Sequence, residues 1–131
     1  MARIERFEDM LSWQKARELT DQVYRLSKNG GFAKDFDLRG QMRGAFVSIM
    51  SNVAEGFERS GDREFLQFLS TAKGSCGEVR AQLYVALDQT YLTKAEFDGL
   101  YTKTVEIGRL LSGFMGYLQQ SDLRGSKFKR T

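Results

Sequence analysis

The sequence predicts an all-α fold, an antiparallel up-down-up-down four-helix bundle. Three observations carry this prediction. Apolar residues recur at steps of three and four in four separate segments. No segment alternates apolar and polar residues with period two between turn residues, so strand signals are absent. Proline is missing from all 131 residues, and since a proline inside a helix costs about 3 kcal/mol, long unbroken helices fit. The connections are short, apart from a glycine-bearing stretch at 28–36, and short connections favour antiparallel neighbours.

The first helical segment runs from about Asp9 to Leu26, with Trp13, Ala16, Leu19, Val23 and Leu26 on one face. Lys28-Asn29-Gly30-Gly31 ends it, Gly or Asn supplying a left-handed cap. The second begins near Asp37, a good N-cap before Leu38. Its inner stripe is Leu38, Met42, Ala45, Ile49 and Val53, widened by Phe46, Met50 and Phe57, and Ser60-Gly61 breaks the run. The third starts near Ser60 or Asp62 and repeats Phe65, Leu69, Ala72, Cys76, Val79, Leu83 and Ala86 in alternating steps of four and three, a bundle seam. The fourth opens on a capping box, Thr93-Lys94-Ala95-Glu96. Phe97, Leu100, Thr104, Ile107, Leu111, Phe114 and Leu118 keep the rhythm, and Gly108, Ser112 and Gly116 form a second stripe of small residues. That small stripe predicts a close helix contact, within or between subunits. The bundle is expected to occupy 1–123, with a basic C-terminal tail over 124–131.

Composition narrows the function. At 41% hydrophobic residues the chain can bury a real core. The single cysteine, Cys76, cannot form an internal disulfide, which suits a reducing compartment. No apolar signal region opens the chain, and no apolar run reaches the ~20 residues of a membrane span. A soluble cytoplasmic protein without membrane contact is expected. Histidine is absent, which removes His general acid–base catalysis, His-activated nucleophiles and His metal ligands. No catalytic residue, metal or cofactor is expected, and the protein reads as a non-enzyme.

Two polar stripes flank the apolar seams. Gln41, Ser48, Asn52 and Glu55 follow one another on the second segment, and Ser75 and Glu78, between Thr71 and Gln82, on the third. Buried polar groups are costly without partners, so Gln41, Ser48, Asn52, Glu55, Ser75 and Glu78 are expected to lock the geometry of a helix junction. Net charge is +3. The cations Arg17, Arg25, Arg39, Arg43, Arg59 and Arg63 are expected at the surface, and the tail adds Arg124, Lys127, Lys129 and Arg130, a pattern that can hold phosphates.

The pieces Trp13-Gln14-Lys15-Ala16, Gln41-Met42-Arg43, Ser48-Ile49, Asn52-Val53-Ala54-Glu55-Gly56, Phe65, Phe68-Leu69, Ala72, Gly74-Ser75 and Glu78 resemble the bacterial four-helix-bundle family named for proteins encoded in intervening sequences of large-subunit ribosomal RNA genes. Its relatives include accessory proteins of diversity-generating retroelements. The resemblance implies a four-helix protomer, assembly into a homopentameric ring, and, from the retroelement relatives, binding of nucleic acid and a reverse transcriptase. It also marks two departures: Gly44 where the family often has a basic residue, and Ala33-Lys34-Asp35 where it often has a proline. The expected function is therefore a non-enzymatic, oligomeric RNA- or DNA-binding accessory protein, with a scaffold that presents helix faces to a partner enzyme as the alternative. In a five-fold ring the net charge becomes about +15, which makes weak phosphate contacts additive.

Overall fold

Helices account for nearly all of the backbone, and their order follows the apolar stripes. The computed structural model describes residues 3–123. A single 3-10 turn, Phe7–Asp9, precedes α1 (Leu11–Leu26); α2 (Gly30–Lys34), α3 (Phe36–Glu58), α4 (Asp62–Asp88) and α5 (Lys94–Leu123) follow, with no strand among the described residues. The long helices pack in a ring: α1 lies against α3 and α5, and α4 lies against the same two on the other side. The sequence's seams face inward. Phe65, Leu69, Ala72, Cys76, Val79, Leu83 and Ala86 of α4 are all fully buried, as are Ile49 and Val53 of α3 and Ile107, Leu111 and Leu118 of α5. Trp13, Leu26, Met50 and Phe114 are half-buried against this core.

Three local features differ from the sequence pattern. First, α1 begins at Leu11, not Asp9, because Asp9 closes the preceding turn: its carboxylate accepts the Glu5 and Arg6 backbone N–H groups at 3.0 and 3.1 Å. Those two donors hold its pKa below the ordinary carboxylate value. Second, the stretch at 28–36 is not all loop. Gly30 takes φ +57°, the left-handed conformation that favours glycine, and starts the one-turn α2. That turn exists because Phe32 is buried and stacks on Tyr91 at 5.4 Å.

Third, the N-cap of α3 is Asp35, whose Oδ1 accepts the Leu38 N–H at 3.1 Å; Asp37 sits in the first turn. The second carboxylate oxygen of Asp35 accepts the Tyr91 hydroxyl at 3.0 Å, which pins the α4–α5 connection to the head of α3 and raises the Tyr91 pKa. Asp35→Ala is expected to cost about 1–2 kcal/mol in urea unfolding and Asp37→Ala a few tenths, since only the first removes a capping acceptor.

The ends of α4 and α5 are fixed by backbone chemistry. Thr93 and Glu96 form the expected reciprocal box: the Thr93 N–H donates to Glu96 Oε1 at 2.8 Å and the Glu96 N–H donates to Thr93 Oγ1 at 3.1 Å. At the end of α4, the Tyr91 N–H donates to the Ala86 carbonyl and the Thr90 N–H to that of Leu87, the paired bonds of a Schellman cap. The residue that must be left-handed there is Thr90, at φ +60°. A β-branched residue carries a penalty of about 1–2 kcal/mol in this conformation. Thr90→Gly is therefore expected to raise stability by about 1 kcal/mol, read as a higher urea midpoint at unchanged slope.

Candidate nucleic-acid interface

The site is built where α4 and α5 run antiparallel. Tyr84 of α4 meets Tyr101 of α5 with ring centroids 5.8 Å apart, and this contact sets the register. One turn further into the pair lie Arg80 and Val105, then Gly77 and Gly108, then Lys73 and Ser112. Residues at these spacings share one helix face. Glycine on both sides leaves the middle of this face low: a β-carbon at Gly108 would meet nothing within 4 Å, and one at Gly77 only the Arg80 guanidinium at 3.8 Å. The result is an open groove of about 450 Å³ lined by Lys73, Arg80, Val105, Gly108, Arg109 and Ser112.

Its charge sets it apart. Three cations line it and no carboxylate does. Lys73, Arg80 and Arg109 take part in no ion pair among the described residues. Two other grooves mix signs. One, on α1, is lined by Trp13, Gln14, Arg17, Glu18 and Asp21. The other, between α1 and α5, contains Lys15, Lys103, Glu18 and Glu106. There Lys15 bridges to Glu106 at 2.8 Å, and that bond raises the Lys15 pKa. Clustered like charges in a concave surface focus the field and attract anions. The α4/α5 groove is thus a place where a phosphate can displace water without competing with a carboxylate among the lining residues.

None of its cations was among the sequence candidates. Lys73 and Arg80 are seven residues apart, so a charge scan at helical spacing places them on one face. Arg109 joins them only through the α4/α5 register. The small stripe Gly108, Ser112 and Gly116 also changes meaning. It makes no close helix contact within the protomer: β-carbons at Gly108 and Gly116 would meet nothing within 4 Å, and Ser112 lines the groove.

The cations expected from the sequence are dispersed, and several are engaged in the fold. Arg43 donates from Nε to Ser27 Oγ at 2.8 Å and from Nη2 to the Tyr24 carbonyl at 3.4 Å, with its guanidinium over the Tyr24 ring at 4.5 Å. It staples α3 to the end of α1. Arg39 donates to the Ala33 carbonyl at 2.7 Å and lies over Phe36. Arg25 pairs with Asp21, Arg59 bridges Glu55 and Glu64, and Arg17 lies over Trp13. Arg63 is exposed and outside any ion pair among the described residues. Arg124, Lys127, Lys129 and Arg130 lie outside the described residues.

The polar constellation separates into an interhelical lock and a surface. Ser48 of α3 and buried Ser75 of α4 meet hydroxyl to hydroxyl at 3.1 Å. Asn52 donates back to the Ser48 carbonyl at 2.8 Å and to its Oγ at 3.0 Å. These three join α3 to α4. Gln41 is exposed and donates to Asp37 at 3.3 Å on its own helix. Glu55 and Glu78 do not enter the junction: both are exposed, Glu55 accepting from Arg59 at 3.0 Å and Glu78 from Gln82 at 3.5 Å. Their helical phase puts them one step past the apolar seam, where a carboxylate keeps its hydration. No group of three candidate metal ligands occurs among the described residues, and none of their helices is long and apolar enough to cross a membrane.

Cys76 lies at the bottom of the α4 seam, fully buried. Burial pushes its thiol pKa up to about 11, against a smaller opposing pull from Arg80. The native thiol is therefore expected to resist alkylation at pH 8 and to react rapidly once urea unfolds the chain. Because the folded value lies above the unfolded one, the folded state holds this proton more tightly. The associated stability is complete below about pH 9 and is lost as pH rises through about 11.

Comparison with known proteins follows the same lines. A crystal structure of a protein of unknown function from the S23 ribosomal protein family of Bacteroides thetaiotaomicron superposes with a TM-score of 0.76 at 19% identity, covering 83% of this chain and 98% of that one. At that identity the likeness shows the fold. No curated protein matches the chain. Residues 8–113, from the first 3-10 turn through most of α5, match the family described as 23S rRNA-intervening sequence protein. Because that match spans most of its length, the chain belongs to the 23S rRNA-intervening sequence protein family.

Proposed function

We propose that this protein is a non-enzymatic, oligomeric nucleic-acid-binding accessory protein of the cytoplasm, a pentameric ring that grips phosphates in its α4/α5 grooves. The observation that carries the reading is the convergence of Lys73, Arg80 and Arg109 on one open groove without a carboxylate. The family's association with ribosomal RNA genes agrees with it. One further consideration supports it. A ring would repeat the groove, so that contacts too weak singly add through multivalency.

The test is a salt titration against mixed RNA and DNA, run beside a mass measurement of the assembly. Binding that is sequence-tolerant and weakens linearly in log–log salt is expected. No binding at low salt overturns the reading. A partner protein that stays bound through nuclease and high-salt washing, with no nucleic-acid binding by the purified protein, replaces it with the scaffold role, a partner such as a reverse transcriptase included.

A further inference from the structure

We propose, resting on the nucleic-acid reading above, that the α4/α5 groove and the tyrosine pair at its end form a track for single-stranded nucleic acid, with phosphates over Lys73, Arg80 and Arg109 and a base stacked on Tyr84. Tyr84 lies on the same face of α4 as Lys73 and Arg80, one turn beyond Arg80, and half of its surface is exposed. It is braced rather than loose, with its ring 5.0 Å from Phe97 and 5.8 Å from Tyr101. An exposed, braced aromatic in line with a basic groove is the arrangement that single-strand binders use, because every base offers a π-face once it is unpaired. A duplex hides those faces inside its stack.

The spacing fits a strand. Lys73 and Arg80 are seven residues apart, about 10.5 Å along the helix, close to three steps of a stacked strand at about 3.4 Å each. Tyr84 follows about 6 Å further on, so the strand leaves the last cation and reaches the ring within two steps. The bare Gly77 and Gly108 floor leaves room for the backbone between the two cations of α4.

The experiment measures fluorescence anisotropy at low salt with a short labelled oligouridylate and the matching oligodeoxythymidylate, each alone and annealed to its complement. Wild-type protein is expected to bind the single strands more tightly than the duplexes. Tyr84→Ala should weaken single-strand binding about five- to 150-fold and leave duplex binding unchanged. Tyr84→Phe keeps the ring and should bind as wild type. Tyr84→Leu keeps apolar bulk without a ring and should bind as the alanine variant, which guards against loss of fold in the latter; helicity and melting are checked for all three. A preference for either sugar supports the track and identifies the strand it takes. Equal binding of single strand and duplex, with every Tyr84 variant as wild type, overturns the track and leaves the nucleic-acid reading standing. No binding of any probe at low salt overturns both.

Discussion

Phe65→Ala is expected to destabilise the protein by about 3–5 kcal/mol, read as a lower urea midpoint at unchanged slope. Phe65 is fully buried at the head of α4. It meets Phe57 of α3 edge-on at 6.0 Å and Phe114 of α5 at 5.6 Å, so one ring joins three helices. Removing it leaves a cavity that helices held from two sides cannot close, and the loss is a large part of the ~5–15 kcal/mol that a domain of this size has in total. Phe68 and the same Phe65 ring explain why Gly56 is glycine. A β-carbon at Gly56 would come within 2.6 Å of Phe68 Cβ and 2.9 Å of Phe65 Cδ1. By helix propensity Gly56→Ala gains about 1 kcal/mol; by overpacking it loses about 1–3 kcal/mol. The steric effect wins because the Phe68 contact is to a β-carbon that cannot swing away, so net destabilisation is expected. In the double variant Phe65→Ala relieves one of the two clashes, and the two costs should sum to more than the measured total.

The combined variant Lys73→Ala, Arg80→Ala and Arg109→Ala is expected to lower the log–log salt slope of single-strand binding by about 2 and to weaken binding at low salt, with little change in melting temperature. Each cation released from a phosphate removes about 0.7 from that slope. Stability should hold because none of the three takes part in an ion pair among the described residues. The control removes the same charge elsewhere: Arg17→Ala, Arg25→Ala and Lys28→Ala lie on or just after α1. If the groove binds, this second variant loses far less. Equal losses would show that binding follows net charge and not the α4/α5 groove.

The seam of α4 was legible residue by residue, because a strict four-three repeat admits one buried face whatever surrounds it. The Thr93–Glu96 box was legible for the same kind of reason, since all its partners lie within one turn. Cap choice at α3 was not. Asp35 and Asp37 are equally good acceptors in sequence, and Asp35 gains its place from Tyr91, a residue far along the chain. The α2 turn likewise depends on Phe32 finding the Tyr91 ring. The polar stripes were legible as stripes. Which members reach another helix was a matter of a few tens of degrees of phase, and that divided Ser48, Asn52 and Ser75 from Glu55 and Glu78.

By itself, the sequence determined the helices, their inward faces and the absence of histidine chemistry, all of which depend on neighbours within two turns or on composition. Only the tertiary structure decided which cations stand together. Arg39, Arg43 and Arg59 look as free in the sequence as Lys73, Arg80 and Arg109, yet the first three are taken up by carbonyls, rings and carboxylates of the fold. The second three converge because α4 and α5 pack antiparallel in the register that Tyr84 and Tyr101 set. Charge acts through space, and proximity between residues far apart in sequence is fixed by packing.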